Sequence, residues 1–271
     1  MFKKDYWSGI SIPWWQVLVL MLAVIAVLAG VIVLVSYIAK RKGKTFERRT
    51  KDLTYGAICV AASFALSYVK FFSLPYGGSI TAASVLPMLI YCYYFGFRRG
   101  LTVSTVYMLL QLIQEPYIVS PWSALLDYVV PYLSLSLVGI FGFCRQKYNA
   151  VMTAGKPPIA AHARFFIGAA VYFVIRLFSH VLAGVLYWSD GIDFMGWSGN
   201  LSGAAAWGYS ITYNSLFLVP DTIIALVAAV CLLASKMFNR FMAASANALQ
   251  NTDATAKNDE GTAAGADERQ G

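Results

Sequence analysis

Two ionisable side chains interrupt an otherwise apolar run, FFIGAAVYFVIRLFSHVLAGVLYW, that extends from Phe165 to Trp188. They are Arg176 and His180, four residues apart, so in a helix of 3.6 residues per turn they lie one above the other on a single face. At ~1.5 Å per residue the run is long enough to cross a hydrocarbon core of ~30 Å. An arginine inside such a span costs ~2.5 kcal/mol or more on insertion scales, so the face that carries it looks at protein or at a wet cavity and not at lipid. That makes the face a candidate binding site. Arg176 stands twelve residues below Trp188, and Asp221 stands twelve below Tyr209. On antiparallel helices both are ~18 Å down, and we predict an intramembrane ion pair between them, with Pro220 kinking the last helix beside it.

The elements that position these groups are membrane spans. Of 271 residues, 59% are hydrophobic and 13% charged, against ~25% charged in soluble domains; mean hydropathy is +0.61. The net charge of +8 comes from basic residues clustered in short inter-span segments. That is positive-inside topology, not a nucleic-acid stripe with interleaved aromatics. The first apolar run, Trp14 to Ala39, ends in KRKGKTFERRTK and reads as an uncleaved anchor with its N-terminus outside. Five further spans are expected over Thr54–Phe72, Ala82–Phe97, Leu101–Glu115, Ser123–Phe143 and Tyr209–Ser235, with the Phe165–Trp188 run between the last two. The spans from Ala82 and Leu101 are short, at ~15 residues, and need shelter from neighbours. FSLPYGGSIT is a turn, Arg98 to Gly100 a cytoplasmic joint, and Cys144 to Arg164 a polar cytoplasmic connector. The expected architecture is an all-α integral membrane protein. Residues 1–52 hold an extra N-terminal transmembrane helix and basic linker, 53–242 a six-helix domain, and 243–271 a disordered cytoplasmic tail.

This topology gathers Glu115, Tyr117, Trp122, Asp127, His180, Tyr187, Trp188, Tyr209, Tyr213 and Asn214 at the outer side. A carboxylate, an imidazole, an amide and several π faces suit a small, flat, cationic heterocycle, with cation–π contacts of ~0.5 to 2 kcal/mol each. Tyr and Trp also gather at membrane interfaces in any case, and for Tyr187, Trp197 and Trp207 the belt reading stands level with the binding one. The four cysteines form no CxxC pair or metal spacing, and none of the residues forms a metal cluster. HExxH, P-loop and nucleophile-elbow motifs are absent, which argues against an enzyme and leaves no catalytic residues to name.

Arg176-Leu-Phe-Ser-His180-Val-Leu-Ala-Gly184-Val-Leu-Tyr-Trp188, with LLDY at Leu125 to Tyr128 and with Asn214 five residues after Tyr209, closely resembles the thiamine-specific S component of energy-coupling factor (ECF) transporters. The resemblance covers roughly Leu53 to Arg240. It implies a six-helix S-component bundle that captures thiamine from outside, with no cofactor. Glu115 would engage the aminopyrimidine, His180 and Trp188 contact or stack on the rings, Tyr209 and Asn214 complete the polar contacts, and Tyr117 stack, with Pro116 intervening after the acid. FSLPYGGS would be the mobile lid, with Tyr76 a candidate gate. Ala57, Ala61 and Ala65 form a small-xxx-small stripe, through which the chain would dock on the ECF transmembrane subunit. Two partner ATPase subunits would supply energy, in a bacterial cell membrane. Two alternatives stay open: an S component for another heterocyclic vitamin or a thiamine precursor, and a stand-alone proton-coupled carrier working through Glu115, Asp127 and Asp221, although no inverted repeat is evident.

Overall fold

The structure, a computed structural model, describes residues 50–114, 118 and 121–245. The expected N-terminal span at Trp14–Ala39, the site residues Glu115 and Tyr117, and the tail beyond residue 245 lie outside the described residues.

Helix α1 (Thr50–Tyr68) leads into a hairpin of β1 (Lys70–Ser73) and β2 (Ser79–Thr81) joined by a 3₁₀ turn at Pro75–Gly77. Helices α2 (Leu86–Phe95) and α3 (Phe97–Gln114) follow, separated by Gly96. The helical path resumes with α4 (Pro121–Ala124), a π turn (Leu125–Val129), α5 (Val130–Ser134) and a 3₁₀ segment (Leu135–Phe141) without a break. Next come α6 (Arg145–Thr153), a 3₁₀ turn (Pro158–Ala161), α7 (Ala163–Tyr187), a second hairpin of β3 (Ile192–Phe194) and β4 (Trp197–Gly199), and α8 (Gly203–Ala234). A short helix, α9, occupies residues 236–245. Both hairpins are antiparallel and two-stranded.

Among the described residues, three stretches are long and apolar enough to cross a membrane: Trp122–Phe141, Ala163–Tyr187 and Gly203–Ala234. Helix α2 is only ten residues long and buries every residue but Pro87. It is the axis of the bundle, sheltered on all sides, which is how so short a helix satisfies an apolar surrounding. Its own Tyr91 and Tyr93, with Tyr107, Phe165, Tyr172, Ala229 and Leu233 around it, form the core. The opposite faces of α7 and α8 expose Ile167, Val174, Phe178, Ile223 and Val227, the apolar surface that a lipid-facing helix presents.

Several boundaries differ from expectation for local reasons. The α1 helix stops at Tyr68, because Lys70 to Ser73 pair with β2 instead of extending it. Arg98 to Gly100 are the first turns of α3 and not a joint, since Gly96 at φ +85° already reverses the chain. The polar connector contains α6, and the last helix begins at Gly203, six residues before Tyr209. That helix continues through Pro220. Residues 243–245, assigned to the tail, are the last turn of α9.

Candidate ligand-binding cavity

A cavity of about 190 Å³ opens at the end of the bundle where the first hairpin meets α3, α7 and α8. It is smaller than the ~300 Å³ at which pockets for drug-sized ligands begin, so its dimensions suit a small molecule. Helix α7 presents Arg176, His180, Gly184 and Trp188 to it, a stripe with a residue every four. Helix α8 adds Tyr209, Tyr213, Asn214 and Phe217, and the hairpin adds Tyr76, Gly78 and Thr81. The four site residues expected on the last two spans, His180, Trp188, Tyr209 and Asn214, therefore line one cavity, as does Tyr76. Neither Trp197 nor Trp207 lines it, and Trp122 is exposed.

The acidic group in this cavity, among the described residues, is Asp127. One of its oxygens lies 3.0 Å from His180 Nδ1, and the other accepts a hydrogen bond from Trp188 Nε1 at 3.3 Å. A carboxylate is an acceptor only, so Nδ1 carries a proton and Nε2 is the ring nitrogen left for a ligand. A single carboxylate thus fixes the tautomer of the imidazole and the orientation of the indole. The π turn at Leu125–Val129 holds Asp127 in this position. A turn of that kind rotates the face of a helix by inserting a residue, and such turns recur at functional sites. Ser179 donates to the Leu126 carbonyl and ties α7 to the same turn.

Asn214 uses its amide nitrogen on the Ser210 carbonyl at 2.9 Å and the His180 carbonyl at 3.3 Å. Both partners are carbonyl acceptors, so the amide orientation is fixed, and the side-chain oxygen is what Asn214 has to offer a ligand. The two helices approach closely here: a Cβ on Gly184 would stand 2.1 Å from Ser210 Oγ. Only glycine allows this contact. Two further donors bordering the cavity, Gln111 Nε2 and Arg176 Nε, are buried without a hydrogen-bond partner among the described residues. Buried donors of this sort are costly unless satisfied.

Deeper down, Arg176 Nη1 donates to Asp221 Oδ2 at 3.1 Å, with both side chains at or below 10% exposure. Asp221 Oδ1 accepts from Thr81 N at 3.0 Å and from Thr81 Oγ1 at 2.7 Å. The sequence does not mark Gln111 or Tyr132 as cavity residues, and Thr81 and Tyr128 enter its reading only within the FSLPYGGSIT turn and the LLDY motif. Their approach depends on contacts between distant parts of the chain, and polar residues at helix ends carry no periodic signal. On the outside of the bundle Ala57, Ala61 and Ala65 are all exposed. The first two line an apolar groove of about 410 Å³ with Val103 and Val106 of α3. No three His, Cys, Asp or Glu side chains gather as metal ligands among the described residues, and the four cysteines are free thiols.

The family profile described as Thiamine transporter protein (Thia_YuaJ) matches residues 53–240. Thiamine transporter ThiT of Bacillus subtilis (strain 168) is 30% identical over 180 residues, which are 65% of this chain and 86% of that protein. The solved structure of ThiT from Listeria monocytogenes superposes with a TM-score of 0.55 at 23% identity, over 67% of this chain and 92% of its own, and shares the fold. The profile covers well over half of the chain and spans α1 to α8 with the cavity between them: this membrane protein, a transporter and not an enzyme, belongs to the thiamine transporter family.

Proposed function

We propose that the chain is the thiamine-capturing S component of an ECF-type importer and that the cavity between the first hairpin, α7 and α8 is its thiamine site. The observation that carries this reading is the shared carboxylate: Asp127 holds His180 Nδ1 and Trp188 Nε1 at once, 3.0 and 3.3 Å away. Thiamine is a cation with an aminopyrimidine edge. In this reading Asp127 offsets its charge, His180 Nε2 and the Asn214 oxygen meet the polar edge, and Trp188 and Tyr209 supply π faces. Gln111 Nε2 and Arg176 Nε are donors available for ligand oxygen. Glu115 and Tyr117 extend the site from the segment next to Gln114, which itself borders the cavity. The exposed face of Ala57, Ala61 and Ala65 is the docking surface for the shared transmembrane subunit, small enough for a helix to approach closely. Two ATPase subunits drive uptake, and the cavity faces outside with the C-terminus in the cytoplasm.

The carrier alternative finds less support. Asp221 is held by Arg176 and Thr81, and Asp127 by His180 and Trp188, so both carboxylates already have fixed partners.

The test is thiamine quenching of tryptophan fluorescence in the purified chain. Wild type should bind saturably, and Asp127→Asn and His180→Ala should each weaken binding by about 100-fold, the order expected when a charged hydrogen-bond partner is removed. Glu115→Gln measured alongside ranks the two acids. No saturable quenching by thiamine in a folded protein would overturn the substrate assignment.

A further inference from the structure

The apolar groove on the outside of the bundle follows α1 and α3, from Leu53 and Arg99 at one end to Phe64 and Leu110 at the other. Along α1 that is eleven residues, or ~17 Å. Its floor is closed where the two helices meet, since a Cβ on Gly56 would stand 2.7 Å from Val103 Cγ1. Its rim is apolar and open: Leu53 is 54% exposed and Val106 46%, and Ala57 and Ala61 are exposed along the α1 side. A second side of α1 is already covered, with Tyr55 stacked on Phe95 of α2 and meeting Phe241 of α9 edge-on. The groove face has the shape and chemistry to take one more apolar helix, provided that helix also carries small residues where the two backbones come closest.

We propose that this groove is the seat of the chain's own first apolar run, Trp14 to Ala39, packed as a helix antiparallel to α1. The tether favours it: ten residues, 40–49, separate Ala39 from Thr50, where α1 begins. Fully stretched they span at most ~36 Å, and six of the ten are Lys or Arg, which hold the connector at the anionic cytoplasmic surface of a membrane. Both helices then start from one level, and a short connection makes them neighbours. The composition of the run favours it too. Ala23, Ala26 and Gly30 recur at spacings of three and four and share one helical face, with Ala26 and Gly30 as a second small-xxx-small pair. The depths also match. Gly30 lies nine residues from Ala39, while Ala57 and Ala61 lie seven and eleven from Thr50. At ~1.5 Å per residue Gly30 stands ~13 Å up, between Ala57 at ~10 Å and Ala61 at ~16 Å. Small residues therefore meet small residues. A second copy or another protein could offer a similar stripe, but a segment on so short a tether is present at an effective concentration in the millimolar range. On the reading of this face as the docking surface for the shared transmembrane subunit, the first run is a tethered competitor that the subunit must displace.

The competition rests on that docking reading; the seat itself does not. Two measurements on the full chain separate them. For the seat, Gly30→Cys is combined with Ala61→Cys in membranes, with Cys59, Cys144 and Cys231 replaced by alanine and the buried Cys92 kept. Oxidation should join most of these chains internally, whereas Gly30→Cys with Val227→Cys, on the exposed face of α8, should give no internal cross-link. Equal cross-linking at both positions, or cross-links only between two chains, overturns the seat. For the competition, the purified chain is titrated with the purified transmembrane subunit. Gly30→Leu keeps the run apolar but fills its small face, and should tighten association by about tenfold, the factor expected if the groove of the wild type is free about a tenth of the time. Val24→Leu, on the opposite side of the run, should leave it unchanged. An internal cross-link together with unchanged association in Gly30→Leu overturns the competition and leaves the seat standing. If the subunit binds neither wild type nor variant, the docking reading fails, and the cross-link still decides the seat.

Discussion

The two histidines of this chain sit at opposite ends of α7 in opposite chemistry. His180 lies about seven-tenths of the way along the helix, its side chain 16% exposed, with the Asp127 carboxylate on one nitrogen and the cavity before it. His162, directly before the helix, is fully buried. Its Nδ1 lies 3.2 Å from the Tyr93 hydroxyl, and its ring is enclosed by Tyr93, Tyr94, Phe143 and Tyr148 at centroid distances of 5.8 to 6.4 Å. No carboxylate approaches it among the described residues. The difference teaches that residue type does not make a site; what distinguishes the two is whether the surroundings leave a polar atom something to do. At the cavity end charges are present, paired and partly open, whereas the His162 ring is enclosed by aromatic packing with no carboxylate beside it among the described residues.

The largest consequence concerns the paired charges. Arg176→Met alone leaves Asp221 buried without its cation and should lower stability by about 3 to 5 kcal/mol, as should Asp221→Leu alone. The double variant removes both charges and should recover most of that loss, measured by thermal unfolding of the purified protein. If the single and double variants were equally damaged, the pair would not be an energetic unit and the contrast between the two ends would lose its basis.

A titration addresses the other end. Burial pushes the His162 imidazole down from its ordinary 6.5 to about 4, opposed by the neighbouring Asn239 side chain. The unfolded chain therefore takes up a proton at a higher pH than the folded one. Stability from this residue is fully present above pH about 6.5, falls as pH drops, and is lost by about pH 4, a change of about 3 kcal/mol. His162→Phe should fill the aromatic cage and flatten that part of the stability profile. A slope that survives the substitution would place the titrating group elsewhere.

These regions differ also in how far they could be read before the fold was known. The α7 run was legible because its length and apolar content leave few alternatives, and Arg176 with His180 marked its inner face by their cost alone. The convergence of His180, Trp188, Tyr209 and Asn214 followed from topology and from the motif. Asp127 was gathered with the outer-side residues, and the resemblance gave the role of the acid to Glu115, which lies outside the described residues; that Asp127 faces His180 and Trp188 was not legible, because a π turn has no sequence signature and its facing depends on it. The hairpin was read from the residues as a turn, and from the resemblance as a lid, but its strands were not: Lys70 to Ser73 are all exposed, so no alternation betrays β1. His162 drew no notice, since its cage is built from residues 14 to 69 positions away. Pairings at such separations become visible only in three dimensions.

The smallest expected effect tests the join between α7 and α8, on which the cavity depends. Gly184 faces Ser210 so closely that a methyl group would stand 2.1 Å from the serine Oγ and 3.0 Å from its Cβ. Ser210 cannot simply turn away, because its hydroxyl donates to the Val181 carbonyl at 2.7 Å. Gly184→Ala must therefore separate the helices or break that bond, at a cost of about 1 to 2 kcal/mol, the range for overpacking a tight core. The strain falls one turn above His180 and beside Asn214, so thiamine affinity should drop several-fold along with stability. Adding Ser210→Ala removes the nearer clash and should return part of both. An equivalent substitution near His162 has no cavity to distort and should alter stability alone. Recovery of stability without recovery of affinity in the double variant would show that Ser210 itself orients Asn214, whose amide nitrogen it holds through the Ser210 carbonyl at 2.9 Å and Oγ at 3.3 Å.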